Sequence, residues 1–318
     1  MNPTFLACLA ALSALLAALG VSGLRRWAER REVLDLPNER SMHAAPTPRG
    51  GGFVIVALVA VGLPIFWARL GGWTLPELSG ILAGLLVVAG VSWRDDLRPV
   101  SVRARLAAHG LAAAIAVAVT GGWRVVELPL LGRFDLGLWG IPVAFLWIVG
   151  LTNAYNFMDG IDGIAGIQAV VAGAGWAVLG TFSGQPLVAT TGALVGGASL
   201  GFLVHNWEPA RIFMGDVGSA SLGYMFAVLA ILAAAKEPAL ALGGVLLVWP
   251  FVADASFTFV RRLHRGEEVT QPHRSHVYQR LVLGGVSQAR VALIYGALAA
   301  SGAGLVFLWF WFRSAGMR

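Results

Sequence analysis

Ten apolar stretches, joined by short polar connections, take up most of this 318-residue chain. They fall at roughly 3–24, 51–68, 79–93, 104–121, 138–152, 163–182, 187–204, 219–235, 239–260 and 289–312. A helix needs about 20 apolar residues to cross a bilayer, and lipid offers backbone amides no partner outside the segment itself. The pattern therefore predicts an all-α, polytopic integral membrane protein of about ten transmembrane helices. The stretches at 79–93 and 138–152 are short for a full span. No connection is long enough for a soluble domain, so residues 1–318 read as a single transmembrane domain. No internal repeat is visible, which argues against the inverted-repeat architecture of many transporters.

A net charge of +6 and a pI near 10.4 would suit a nucleic-acid binder. The placement of the charge argues for no nucleic acid. With the N-terminus outside, only Arg69, Arg124, Arg133, Lys236, Arg313 and Arg318 fall in outer connections, and the other 17 of the 23 basic residues fall inside. That is the positive-inside bias. The basic excess then serves orientation, membrane lipid headgroups and phosphate ligands. The first stretch has no basic residue before it and several after it, the reverse of a secretory signal, so a retained span is expected there. Cys8 is the sole cysteine, which excludes an intrachain disulfide and a thiolate metal cluster. Trp67, Trp73, Trp123, Trp139, Trp309 and Trp311 lie near outer span ends, as an aromatic belt would.

Ionisable groups at membrane depth cost several kcal/mol unless they face a cavity, a metal or a substrate. Yet Asn153, Asn156, Asp159 and Asp162 recur every third residue. Steps of three drift by about 60° at 3.6 residues per turn, so four such residues cannot share one helix face. Gly160, Gly163 and Gly166 favour a break there. Asn and Asp are hard oxygen donors of the kind Mg²⁺ takes. The plainer alternative is a capped helix start with Asp159 or Asp162 as N-cap. Asp95, Asp96 and Asp216 fall at the same inner face. Adjacent Asp95 and Asp96 repel unless cations offset them, and Arg94, Arg98, Arg103 and Arg105 are near in sequence. Asp216, between glycines and followed by Ser219, reads as a helix start that can also present oxygen ligands. Asp254, inside the ninth stretch after Pro250, reads as buried, paired and structural.

Three further segments carry weaker signals. Residues 272–280 (PHRSHVYQR) mix basic and aromatic groups, suited to a phosphate and a sugar or base, or to a membrane surface. Residues 257–265 set Phe257, Phe259, Val260 and Leu263 against basic side chains, which fits a helix lying along the interface. The glycines at 50–52 either open space for a ligand or turn the chain. Residues 121–138 have room for a small outer hairpin.

In its motifs the chain resembles the polyprenyl-phosphate N-acetylhexosamine-1-phosphate transferases, glycosyltransferase family 4, whose superfamily includes phospho-MurNAc-pentapeptide translocase. The residues that carry the resemblance are Asp35-Leu-Pro-Asn-Glu-Arg-Ser-Met-His43 with Pro48-Arg-Gly-Gly-Gly52, Asp95-Asp96 with Ser101 and Arg105, and the Asn153 to Gly166 segment. His205-Asn206 with Phe213-Met-Gly-Asp-Val-Gly-Ser219, and Pro272-His-Arg-Ser-His276, complete the set in family order. The resemblance implies a bacterial inner (cytoplasmic) membrane enzyme, multi-pass, with a cytosolic active site. It would transfer an N-acetylated sugar-1-phosphate from a UDP-sugar to undecaprenyl phosphate and release UMP. By position, Asp216 matches the family's Mg²⁺ ligand (with Mn²⁺ as a substitute), and Asn156 lies among its metal-site and nucleotide positions. Asp95 and Asp96 match the family's aspartate pair, the first often assigned as base. Asp159 and Asp162 join them as catalytic candidates. Arg105 stands where many members carry a Lys that meets the lipid phosphate. Asn153, Asn206, His273, Arg274 and His276 match substrate-binding positions. The peptidoglycan enzymes carry consecutive histidines in that last loop. Here Arg274 and Ser275 intervene, which looks more like members that initiate O-antigen or capsule chains.

Two other classes compete. A CDP-alcohol phosphotransferase is also polytopic and Asp-rich, but Asp162-Gly-Ile-Ala-Gly166 lacks that motif's Arg and its later Asp pair. A lipid-linked sugar transporter or flippase should hold its polar residues at mid-bilayer, whereas here they gather at inner span ends. Nothing in the sequence fixes the oligomeric state, a homodimer included.

Overall fold

The computed structural model of the chain describes residues 1–37, 42, 45–268 and 273–314. Asn38, Arg40 and His43 of the first inner motif, Pro272 of the last, and Arg318 lie outside the described residues. The helices are α1 (Pro3–Arg30), α2 (Phe53–Leu70), α3 (Leu75–Leu97), α4 (Val102–Thr120), α5 (Gly140–Met158), α6 (Ile164–Phe182), α7 (Pro186–Asn206), α8 (Asp216–Lys236), α9 (Leu240–Leu247), α10 (Trp249–His264), α11 (Val277–Leu283) and α12 (Gln288–Ser314). Among the described residues, nine helices are long and apolar enough to cross a membrane, or ten if α9 and α10 form one bent span. The expected all-α, polytopic class is what the chain adopts.

Local chemistry sets the helix ends. Thr74 and Glu77 form a capping box at the start of α3, with Glu77 N donating to Thr74 Oγ1 at 3.3 Å. This lengthens the short 79–93 stretch to 23 residues. Its polar end, Arg94-Asp95-Asp96, continues the helix because hydrogen bonding does not stop where apolarity does. Likewise α5 runs on to Met158, so Asn153 and Asn156 are helical and the break falls at 159–163. The ninth stretch departs most from expectation. It bends by 71° between α9 and α10, and Pro250 sits in the first turn of α10, where a missing N–H costs nothing. On α10, Phe257, Phe259, Val260 and Leu263 are exposed while Asp254, Thr258 and Arg262 are buried. The interfacial helix read in 257–265 is thus an amphipathic element within α10.

Packing places α8 at the centre. Its membrane-length window is wholly buried, against 17% for α1 at the periphery. Small residues let neighbouring backbones close up, as membrane bundles require; a Cβ on Gly173 of α6 would lie 2.6 Å from Gly196 Cα of α7. The expected outer hairpin is β3 (Val125–Leu128) with β4 (Gly132–Asp135). Glu127 joins it to Arg133 at 2.8 Å and to Arg313 of α12 at 3.3 Å. Of the tryptophans expected near outer ends, Trp139 is exposed, whereas Trp73 and Trp123 are buried. At the other end lies a two-residue ladder of β1 (Leu34–Asp35) with β2 (Thr47–Pro48). There the last turns of α3, α5 and α7 meet the first turns of α4, α6 and α8.

Candidate active site

The first residues of α8 are set by a backbone clasp. Phe213 N donates to Pro48 O at 2.8 Å, Gly51 N to Phe213 O at 2.9 Å, and Gly52 N to Met214 O at 2.8 Å. A Cβ on Gly52 would stand 2.3 Å from Gly218 Cα. The glycines at 51 and 52 therefore serve close backbone approach. Gly215, at φ +75°, turns the chain into α8 in a conformation L side chains rarely adopt. Asp216 is the first helical residue.

Asp96 holds that turn from below. Its Oδ1 accepts from Asp216 N at 3.0 Å and its Oδ2 from Val217 N at 3.1 Å, satisfying two of the donors a helix start leaves open. The side chain is only 2% exposed. Arg49 lies 3.6 Å from Asp96 Oδ1 and donates to the backbone carbonyls of Asp96 and Asp95 at 2.7 and 2.8 Å. Asp95 is 12% exposed at its side chain, with Oδ1 accepting from Val100 N at 2.5 Å. Arg105 then bridges two carboxylates through one nitrogen: Nη1 stands 2.9 Å from Asp95 Oδ2 and 3.2 Å from Asp216 Oδ2. The cations that offset the aspartate pair are thus Arg105 and the distant Arg49. Arg94 spends its guanidinium on the carbonyl of Arg98.

The Asn153–Asp162 row divides by helix geometry. Asn153 donates to Val149 O at 2.7 Å, and its Oδ1 meets His109 Nδ1 at 3.3 Å. One turn on, Asn156 Oδ1 accepts from Ser219 Oγ at 2.5 Å. Asp159 follows the last turn of α5. Burial, then the negative charges of Asp216, Asp96 and Asp162, push its carboxyl well above the usual carboxylate range. Neither aspartate is an N-cap: Gly163 takes that position on α6. Asp162 Oδ2 instead accepts from Ala210 N at 2.8 Å. Asn206 bridges the two breaks, with Oδ1 on Gly163 N at 3.0 Å and Nδ2 on Ile212 O at 3.0 Å. Asp162 and Asn206 therefore tie the break before α6 to the segment before α8 through backbone contacts.

The histidine loop packs against the end of α5, where Tyr278 Oη donates to Phe157 O at 3.0 Å. His273 and His276 stand 5.0 Å apart between ring centres. Burial first, then the charge of His276 and Arg262, lowers His273 to about 4, so it is neutral near pH 7. His276 is buried, with Nδ1 3.2 Å from Asp254 Oδ1. Asp254 is buried and paired, as its position after Pro250 suggested. Arg274 is exposed.

The donor set fits Mg²⁺. Among the described residues no three His, Cys, Asp or Glu side chains form a ready metal cage. Mg²⁺ does not need one, because it keeps waters and is held by one or two carboxylates plus substrate phosphates. Asp216 is 31% exposed at its side chain, offers oxygen, and lies among like charges that a cation would offset. Arg49, His109 and Ser219 brace this site; the sequence named Arg49 and Ser219 within motifs but gave none of the three a role. For His109 a signal existed: it follows Arg105 by four residues, on the same face of α4.

A bundle whose carboxylates, bridging arginine and histidine loop converge at one end of its membrane helices is built as a membrane enzyme for phosphate-bearing substrates. The model of glycosyl transferase family 4 matches residues 78–234, and the chain belongs to that family. It is 31% identical over 275 residues to the "Probable undecaprenyl-phosphate N-acetylglucosaminyl 1-phosphate transferase" of Bacillus subtilis (strain 168), covering 85% of this chain and 75% of the relative. It is 32% identical over 321 residues to a phospho-N-acetylmuramoyl-pentapeptide-transferase of Synechococcus sp. (strain JA-2-3B'a(2-13)), covering 96% and 91%. A decaprenyl-phosphate N-acetylglucosaminephosphotransferase of Mycobacterium tuberculosis (strain CDC 1551 / Oshkosh) is 30% identical over 318 residues, covering 91% and 78%.

Proposed function

We propose that this enzyme transfers an N-acetylated sugar-1-phosphate from a UDP-sugar to undecaprenyl phosphate, giving a diphosphate-linked lipid sugar and UMP. An oxygen of the lipid phosphate attacks the sugar-linked phosphorus, and the bond from that phosphorus to the UMP oxygen breaks. The observation that carries the reading is the Arg105 bridge to Asp95 and Asp216, a cation and two carboxylates meeting at a membrane-helix end. The names of the relatives supply the acceptor and sugar classes.

Asp216 would hold Mg²⁺, with Asn156 steadied beside it by Ser219. Bound there, the ion would neutralise the diphosphate and stabilise the leaving UMP. Arg105 receives the lipid phosphate through charge-assisted hydrogen bonds. Asp95 orients Arg105 and gives moderate base assistance. Asp159, whose carboxyl favours the protonated form beside the other aspartates, can donate to a substrate oxygen, while Asp96, Asp162, Asn153 and Asn206 hold the site in shape. His273, Arg274 and His276 contact the UDP-sugar. The inner-side excess of basic residues supports a cytosolic cleft in the bacterial inner membrane, which the lipid reaches sideways from the bilayer. Arg274 and Ser275 between the histidines favour initiation of O-antigen or another envelope polysaccharide over peptidoglycan.

The test is purified protein with undecaprenyl phosphate, Mg²⁺ and a panel of UDP-GlcNAc, UDP-linked 6-deoxy N-acetylated sugars and UDP-MurNAc-pentapeptide, with lipid products weighed by mass spectrometry. A lipid diphosphate N-acetylhexosamine is expected. Turnover of the pentapeptide substrate alone would overturn the polysaccharide assignment, and no lipid product from any donor would overturn the reaction.

A further inference from the structure

A buried carboxylate with a full set of hydrogen bonds lies outside the Arg105 cluster, and the reaction just outlined leaves it unused. Asp254 sits on α10, immediately after the bend, with its carboxylate buried. Five donors converge on it. Oδ1 accepts from Val277 N at 2.9 Å, Thr258 Oγ1 at 3.1 Å and His276 Nδ1 at 3.2 Å. Oδ2 accepts from Tyr295 Oη at 2.6 Å and Tyr278 N at 3.1 Å. The donors come from three elements: α10, the start of α11, and α12.

A carboxylate only accepts, so the ring nitrogen facing it must carry a proton. His276 is thereby held in one tautomer, with Nδ1–H toward Asp254. Its backbone N–H is taken by Gln279 Oε1 at 3.2 Å, and its ring stacks on Tyr278 at 5.7 Å and 24°. These contacts hold the imidazole in place, and the carboxylate favours the tautomer with the proton on Nδ1. Nε2 makes no hydrogen bond among the described residues, and it points away from the carboxylate as imidazole geometry requires. Such outer partners commonly set the orientation and basicity of a working histidine.

We propose that Asp254 is a positioning residue for His276: with Tyr295 and the first amides of α11 it fixes the imidazole so that Nε2 meets the UDP-sugar. The bend in the ninth span has a purpose on this reading. It carries Asp254 out of the bundle axis to the histidine loop while its neighbours remain packed. The proposal rests on the UDP-sugar role given to His276 above.

The experiment is a double-mutant cycle on kcat/KM for the UDP-sugar, together with ¹⁵N-histidine spectra of the wild-type protein and of Asp254→Asn in detergent. Asp254→Asn is expected to lower kcat/KM by about 10–100-fold, the usual effect of removing an outer partner. Tyr295→Phe removes one of the five donors and is expected to lower it less. In a His276→Ala background both changes should cost little more, because their effect passes through a ring that is gone. The spectra should show a single Nδ1–H tautomer for His276 in the wild type and a mixture in Asp254→Asn. Multiplicative losses in the double mutants, or an unchanged tautomer in Asp254→Asn, would overturn the proposal. Should Asp254→Asn fail to fold, Tyr295→Phe carries the same cycle. Wild-type protein inactive on every donor would defeat the transferase reading instead, and the tautomer measurement would still decide the role of Asp254.

Discussion

Asp96→Asn is expected to destabilise the protein as well as slow it, because Asp96 acts on α8 and not on substrate. Its two oxygens each take one N–H at the start of that helix, at 3.0 and 3.1 Å. Asparagine keeps one acceptor and turns its amide nitrogen toward the other donor. A hydrogen bond to a charged group is worth about 1.5–3 kcal/mol, and a buried donor left unpaired costs about 1–3 kcal/mol. Arg49 loses its carboxylate neighbour but keeps the two backbone carbonyls it already binds. A net loss of about 2–4 kcal/mol follows. The start of α8, and Asp216 with it, should shift, and misplacement by about 1 Å can cost on the order of 10²-fold in rate. Thermal unfolding in detergent, measured beside Mg²⁺-dependent UMP release, reads both effects. Asp95→Asn is the control. Its side chain is 12% exposed against 2% for Asp96, so it should lose less stability. An Asp96→Asn protein with wild-type thermal stability and no turnover would refute the reasoning, since Asp96 would then be acting on the reactants themselves.

Asp95→Asn should slow turnover by about 10²-fold, and raising the pH should partly restore it. The acceptor phosphate has its second pKa near ~6, so its reactive dianion grows in as pH rises; a pH-independent defect would count against this. His273 lies at about 4 in the folded protein, below its ordinary 6.5, so folding releases its proton between those values. The stability it contributes is full above about pH 6.5 and is lost as pH falls toward 4. Wild-type protein should therefore lose more thermal stability between pH 7 and pH 5 than His273→Asn, and equal losses would contradict the shift. Single cysteines at Arg98 and Arg133, in a Cys8→Ser background, should label from opposite sides of sealed inverted vesicles. Labelling of both from one side would overturn the orientation.

Much of the site was legible because polar groups are costly in a membrane. Asn153, Asn156, Asp159, Asp216 and the Asp95-Asp96 pair stood out against apolar surroundings for that reason alone. Their division of labour was not legible, since it depends on contacts remote in sequence. Arg49 reaches the aspartate pair across 47 residues, Ser219 reaches Asn156 across 63, and Asn153 meets His109 across 44. The helix count followed from apolar length, yet α1, α3 and α5 each run several residues past their apolar stretch, because backbone hydrogen bonding continues through polar residues. The bend in the ninth span was not read from the sequence, although Pro250 stands just beyond it. The partners of Asp254 were hidden as well, because Val277 and Tyr295 lie 23 and 41 residues further along the chain.

The most direct measurement is UMP release by wild-type protein and by Asp216→Asn, with undecaprenyl phosphate and Mg²⁺ each present or withheld. Direct transfer at the Asp216 carboxylate predicts UMP only when donor, lipid and divalent ion are together, in step with lipid product, and none from Asp216→Asn. UMP released without the lipid acceptor, or normal Mg²⁺-dependent turnover by Asp216→Asn, would contradict it.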